Sequence, residues 1–296
     1  MTTFARRMIL LALGALAGIG LWPVAEAILF QQGGFPSYLA YLAALGAVVG
    51  ALMGAAFGAA EGITSRVRER LPTGIVVGAA VGLAGGAAGL LAGQAALWLI
   101  GGLFLRGYTD FQWVVLPVSR AVGWAVLGIF VGAAEGLRAR SAKKVVVGIL
   151  GGLVGGLAGG FVLEYLRLLV PGLPVARLAG LVVLGVGIAA FYGIIEHGMS
   201  FGVLRVLTGE LKGKEYLLNQ RKVRIGRSRR NEIALRSYEE LADVQAQVVI
   251  RKGEPVLENL EPSLPVQVNE RRISERALKF GDVIRIGPAK IYYRAG

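Results

Sequence analysis

Val223-Arg224-Ile225-Gly226-Arg227-Ser228, followed after Arg229 and Arg230 by Asn231-Glu232-Ile233-Ala234-Leu235, is the stretch on which the reading of this chain turns. A β-branched run that ends in glycine and arginine reads as a strand delivering charge to a loop. Around it the residues from 201 to 296 fall into short alternating runs cut by turns. Ahead of it stand two hundred residues of a different kind.

The predicted strands are Val203 to Leu207, Glu215 to Leu218, Val223 to Ile225, Gln245 to Ile250, Val256 to Leu260, Val266 to Val268, Val283 to Ile286 and Ile291 to Tyr293. Turn signals at Gly209, Gly213, Gly253, Gly281-Asp282 and Gly287-Pro288 separate them. Short strands at this density predict an antiparallel β-sandwich.

Gly226-Arg227, Asn231 to Leu235 and Leu278-Lys279-Phe280-Gly281-Asp282-Val283-Ile284-Arg285-Ile286-Gly287 together resemble a forkhead-associated (FHA) domain, over roughly Val203 to Arg294. The resemblance implies an eleven-stranded sandwich whose loops at one end bind phosphothreonine peptides. Carried onto this sequence, the family's loop arginine is Arg227. Its phosphate-binding serine falls on Ala242, the next position on Asp243, and its supporting histidine on Gln245. The later loop reads Pro262-Ser263-Leu264-Pro265-Val266-Gln267-Val268-Asn269-Glu270, with Leu264 where the family has a peptide-clamping asparagine.

A phosphate dianion needs a guanidinium together with hydroxyl or amide donors, because charge-assisted hydrogen bonds supply most of its binding energy. Here two donors are missing and a carboxylate has been added. Each lost donor to a charged acceptor costs about 1.5–3 kcal/mol, so usual phosphothreonine binding is not expected. Arg227, Ser228, Arg229, Arg230, Ser263 and Asn269 remain the candidate residues for a phosphopeptide or another protein partner, and Arg229, Arg230 and Arg236 offer material for a different anion site. Arg227 has an equal structural reading, tying the loops together through carbonyls near Ser263.

The first two thirds are apolar. The chain is 55% hydrophobic, with 45 glycines and a mean hydropathy of +0.61. Six segments, about Met8 to Phe30, Ser37 to Ile63, Thr73 to Leu105, Arg120 to Leu137, Val145 to Val170 and Ala176 to Ser200, reach or approach the roughly 20 residues that span a bilayer. The expected architecture is an α-helical membrane bundle over residues 1–200 carrying an all-β FHA-like sandwich over residues 201–296. Arg6, Arg7, Arg66, Arg68, Arg70, Arg138, Arg140, Lys143 and Lys144 fall on one side, against Arg106, Arg120, Arg167 and Arg177 on the other. The positive-inside rule then places the N-terminus and the C-terminal domain in the cytoplasm, at an inner membrane. Trp98, Tyr108, Trp113 and Tyr165 belong near the outer interface. Pro23 followed by Ala25-Glu26-Ala27 resembles a signal-peptide cleavage site, but Gly14 and Gly18, spaced for helix packing, favour a retained helix.

Gly58-Ala59-Ala60-Glu61-Gly62 recurs as Gly132-Ala133-Ala134-Glu135-Gly136, and the same shift of 74 residues carries Gly82-Leu83-Ala84-Gly85-Gly86 onto Gly156-Leu157-Ala158-Gly159-Gly160. This is an internal two-helix repeat. A decayed copy of its first half reads Gly193-Ile194-Ile195-Glu196-His197-Gly198. Glycine stripes run through Gly46, Gly50, Gly54, Gly58 and Gly62, through Gly74, Gly78, Gly82 and Gly86, and through Gly148, Gly152, Gly156 and Gly160. Such rows permit close helix approach, within one subunit or against another, so an oligomer or membrane complex is expected. Glu61, Glu135 and Glu196 stand at equivalent helix ends. They form either a candidate acidic cluster or structural pairs with Arg66, Arg138 or Arg140. Glu26 and Glu164, nearer the outer ends, are expected to be solvated or paired with Arg167.

A formal charge of +13 often signals nucleic acid. Here 13 basic and 7 acidic residues precede Phe201 and 19 and 12 follow it, and a basic membrane protein beside anionic lipids accounts for that without nucleic acid. There is no cysteine and a single histidine, His197, which leaves no disulfide framework and no His-rich metal site. The glycine runs lack the Gly-Lys-Ser/Thr of a phosphate loop. No cofactor, metal or catalysis is expected. A docking, signalling or assembly protein is the primary expectation, and a phosphothreonine receptor or a channel regulated by its FHA domain is the alternative.

Overall fold

A computed structural model describes residues 3–65, 70–104, 111–170, 174–218, 220–238 and 240–294. The chain divides into two compact units, Arg7–Glu196 and His197–Gly296 together with Met1–Arg6. Arg66, Arg68, Arg106 and Tyr108 lie outside the described residues, as do the side chains of Glu61 and Arg70.

Among the described residues six long helices make up the apolar part: α1 (Thr3–Phe30), α2 (Tyr38–Ser65), α3 (Arg70–Phe104), α4 (Leu116–Arg138), α5 (Ala142–Leu169) and α6 (Pro174–Gly198). Each is long and apolar enough to cross a membrane. One π-helical turn, Phe111–Val115, leads into α4, which begins four residues ahead of the expected Arg120. Pro117 in its first turn accounts for that start, because an N–H missing there is not missed. Between α4 and α5 the chain reverses tightly: Ser141 N–H donates to the Gly136 carbonyl at 3.0 Å, Arg140 takes φ 49°, and the Ser141 hydroxyl caps α5 at Lys144 N. Trp113 and Tyr165 are brought together by a hydrogen bond from the tyrosine hydroxyl to the Trp113 carbonyl, 3.0 Å.

The glycines set how closely these helices lie. A Cβ on Gly50 would stand 1.9 Å from the Gly82 carbonyl oxygen, and Gly46, Gly54 and Gly58 meet Gly86, Gly78 and Gly74 in the same way. Helices α2 and α3 therefore touch backbone to backbone. The contact of Gly58 with Gly74 has its counterpart in Gly132 with Gly148, and that of Gly54 with Gly78 in Gly128 with Gly152. Gly14 and Gly18 of α1 pack on Gly185 and Leu181 of α6, and Gly151, Gly155 and Gly159 of α5 pack on Tyr192, Ile188 and Leu184. Every stripe glycine read from the sequence meets a neighbour within this chain. Between the helices Leu21, Val49, Met53, Leu127, Val131, Leu184 and Ile188 form the core.

The described residues of the C-terminal unit form a two-sheet sandwich of eleven strands. One sheet runs β2 (Glu215–Leu217), β1 (Val203–Val206), β11 (Ala289–Arg294), β10 (Val283–Ile286), β7 (Val266–Val268), β8 (Arg271–Ile273). The other runs β4 (Ile233–Ala234), β3 (Lys222–Gly226), β5 (Ala246–Arg251), β6 (Glu254–Asn259), β9 (Glu275–Ala277). The expectation of an antiparallel sandwich needs one correction, since β3 and β4 pair in parallel, Ile225 beside Ile233 and Gly226 beside Ala234. Leu204, Ile225, Ile233, Val248, Leu257, Val268, Ile284 and Ile291 fill the space between the sheets.

Candidate functional site

The β3–β4 and β4–β5 loops meet at one end of the sandwich, and Gly226 is what allows them to. A Cβ there would stand 2.5 Å from the Asp243 carbonyl oxygen. The loops are then laced by backbone: Arg227 N–H donates to the Ala242 carbonyl at 2.9 Å, Ser228 N–H to that of Asp243 at 3.1 Å. Asn231 donates its side-chain amide to the same Asp243 carbonyl at 2.6 Å. This explains glycine and asparagine at their positions by geometry alone.

The Arg227 side chain is 60% exposed, and its Nε lies 3.7 Å from Oδ1 of Asp243, itself 76% exposed. Among the described residues the arginine therefore faces a carboxylate, and not the carbonyls near Ser263 that the sequence offered as its structural partners. Ser228 Oγ accepts from Arg230 N–H at 3.3 Å, while Arg229, Arg230 and Arg236 are exposed. On the β6–β7 loop the Ser263 hydroxyl donates to Glu261 Oε1 at 2.6 Å. That loop is braced from below by Asn259, whose amide donates to the Leu264 carbonyl at 3.1 Å and whose Oδ1 accepts from Glu261 N–H at 3.1 Å.

Asn269 does not belong with these residues. It lies beyond the other end of β7 from Ser263, in the turn to β8, with φ 49°. Its amide donates to Asp282 Oδ1 at 2.7 Å and its Oδ1 accepts from Val283 N–H at 2.9 Å. Both polar ends are used in holding the turn.

Beside the loops a cavity of about 340 Å³ opens between Glu240, Gln245, Leu264, Pro265, Gln267, Arg285, Gly287 and Pro288. Gln245 is buried and its side-chain oxygen has no partner among the described residues. Sequence reading found Gln245 and Leu264 through the family pattern. Gln267 and Arg285 stand in the quoted runs and Gly287-Pro288 reads as a turn, but that they share one hollow was not legible, because strands β7 and β10 and loops distant in sequence bring them together.

In the helical unit Glu135 is paired, with Arg138 Nη2 at 3.1 Å and Lys144 Nζ at 3.4 Å. Glu196 is buried. Among the described residues no three His, Cys, Asp or Glu side chains come together as metal ligands. Glu164 takes the second of its two expected states, paired with Arg167 at 3.4 Å, and it is buried, accepting also from Arg120 at 2.8 Å and Trp124 Nε1 at 3.3 Å.

Residues 205–295 match the model of a family described as the inner membrane component of T3SS, cytoplasmic domain. Among solved structures the chain is similar to an FHA domain from a structural and functional study of phosphothreonine-dependent FHA domain interactions, at 24% identity over 32% of this chain and 95% of that one, TM-score 0.29. It is similar also to the FhaA FHA domain complexed with the intracellular domain of Rv3910, at 25% identity over 31% and 98%, TM-score 0.29. A third is the FHA domain of an Arabidopsis thaliana hypothetical protein, at 22% identity over 32% and 86%, TM-score 0.29. No curated protein matches the chain.

Proposed function

We propose that this chain, six long apolar helices joined to an FHA-like domain, is a multi-pass inner-membrane protein that displays that domain in the cytoplasm as a docking module for another protein. Its work is assembly or signalling, without catalysis. The observation that carries the reading is Arg227 facing Asp243, 3.7 Å away. Where a phosphate would need a second donor the loop presents a like charge, so recognition is independent of phosphate and uses the sandwich surface. The family match over residues 205–295 supports the cytoplasmic placement and the membrane complex. The basic residues Arg6, Arg7, Arg138, Arg140, Lys143 and Lys144 on one side of the helices support the same orientation.

The test is copurification in mild detergent of the full chain and of residues 1–198, each with and without phosphatase treatment. Partners retained by the full chain, lost without the β domain and indifferent to phosphatase are expected. Partners released by phosphatase would overturn the reading.

A further inference from the structure

At one end of the helical unit five helices surround a cavity of about 120 Å³, where α1 and α5 finish and α2, α4 and α6 begin. Its lining is graded. On α2 it passes from Tyr41 to Leu45 and Val49, on α6 from Arg177 to Leu181, and on α5 from Arg167 back to Leu163. On each of these three helices the polar residue stands nearer the helix end and the apolar ones a turn or two deeper. The cavity is thus polar at its mouth and apolar in its depth.

Among the described residues, charge at the mouth does not balance. Arg177 takes Glu26 in two contacts, Nε to Oε1 at 2.5 Å and Nη2 to Oε2 at 2.8 Å. Arg120 and Arg167 share the single carboxylate of Glu164, Arg167 through Nη1 alone. Three guanidiniums meet two carboxylates, and Arg167 keeps Nε and Nη2 without a partner among the described residues. Its side chain is 37% exposed. Trp22, which also lines the cavity, holds its indole N–H buried without a hydrogen-bond partner among the described residues. A surplus cation and idle donors beside an apolar wall are costly unless something accepts from them.

We infer that this cavity binds an acidic phospholipid, its phosphate at Arg167, Arg177 and the Trp22 N–H and its first chain carbons against Leu45, Leu163 and Leu181. A second groove shares Glu26, Leu29 and Arg177 with the cavity and reaches Phe30 and Gln31 at the end of α1. It gives the headgroup a way out towards water while the chain runs inward. Guanidinium and indole donors match phosphate oxygens, and a singly charged headgroup cancels the surplus charge.

The experiment uses the full chain in a neutral detergent, with Trp98→Phe and Trp113→Phe so that Trp22 and Trp124 report by fluorescence. Dihexanoyl phosphatidylglycerol, dihexanoyl phosphatidylcholine and inorganic phosphate are titrated separately. A saturable response to phosphatidylglycerol, with none from the other two, is expected. Arg167→Gln should weaken it about tenfold or more, the loss of a charge-assisted bond. Glu26→Gln, which frees Arg177, should strengthen it several-fold. Equal responses to the two lipids overturn the site, and saturation by phosphate alone at similar concentrations overturns the lipid in favour of a soluble anion. Should Arg167→Gln fail to fold, an unchanged affinity in Glu26→Gln is equally decisive against it.

Discussion

Arg227 and Asp243 face each other across the β3–β4 and β4–β5 loops with Nε and Oδ1 3.7 Å apart, both side chains open to solvent. An exposed pair of this kind adds little stability, so its consequence is for ligands: a phosphate approaching Arg227 meets a carboxylate. Ala242→Ser with Asp243→Asn restores two donors and removes the repulsion. The double variant should gain at least tenfold to a hundredfold in affinity for phosphothreonine peptides, at about 1.4 kcal/mol per decade. Fluorescence anisotropy checks this, and no gain would mean that the loops themselves are misplaced.

Glycine at position 50 is a steric requirement. Gly50→Ala places a methyl 1.9 Å from the Gly82 carbonyl oxygen, and prying α2 from α3 should cost ~1–3 kcal/mol, as overpacking does. Gly20→Ala, with nothing within 4 Å, should be neutral or slightly stabilising through helix propensity. Thermal unfolding in detergent reads both, and equal melting of the two variants would contradict the packing.

Asn269 is expected to be structural. Asn269→Ala loses the bonds to Asp282 and Val283 while its β-carbon stays at φ 49° without them; a loss of ~2 kcal/mol in the β domain follows. Asn269→Gly, free of the conformational penalty, should lose less. Partner binding per folded molecule should not change in either. A binding defect without destabilisation would return Asn269 to the recognition surface.

The hydroxyl of Tyr216 is buried without a partner among the described residues, and burial, with Tyr238 adding to it, raises its pKa. Unfolded tyrosine releases its proton near pH ~10. Below that both states hold the proton and stability is unaffected; above it the unfolded state alone is ionised, and stability falls as pH rises. Burial raises Tyr238 and Tyr293 as well. Tyr216→Phe should therefore make the alkaline loss shallower without abolishing it, and at neutral pH should cost nothing, since no hydrogen bond is removed. Urea unfolding of the C-terminal unit between pH 8 and 11 measures it, and identical slopes would count against the buried hydroxyl.

The helices were legible because an apolar run long enough to span a membrane is a local signal, and glycine spacing of four announced faces that the structure fills with Gly58 against Gly74 and Gly132 against Gly148. Strands β8 and β9 were not legible. Arg271-Arg272-Ile273 and Glu275-Arg276-Ala277 lie at the outer margins of their sheets and carry charge outward, as edge strands do, which erases the alternation of a half-buried strand. Two-residue β4 is held by its pairing with β3 and by Ile233 in the core, neither of which periodicity can report. In the site, the change to Ala242 and Asp243 could be read from the family pattern. The cavity at Trp22, Arg167 and Arg177 could not, because its partners lie as far as 151 residues apart.

The central claim is that the β domain docks its partner without reading phosphate, and the most direct measurement is the affinity of the purified domain for a phosphothreonine peptide library, with Arg227→Ala in parallel. No binding tighter than the millimolar range is expected, and no difference between the two proteins. Micromolar binding that Arg227→Ala abolishes would contradict it.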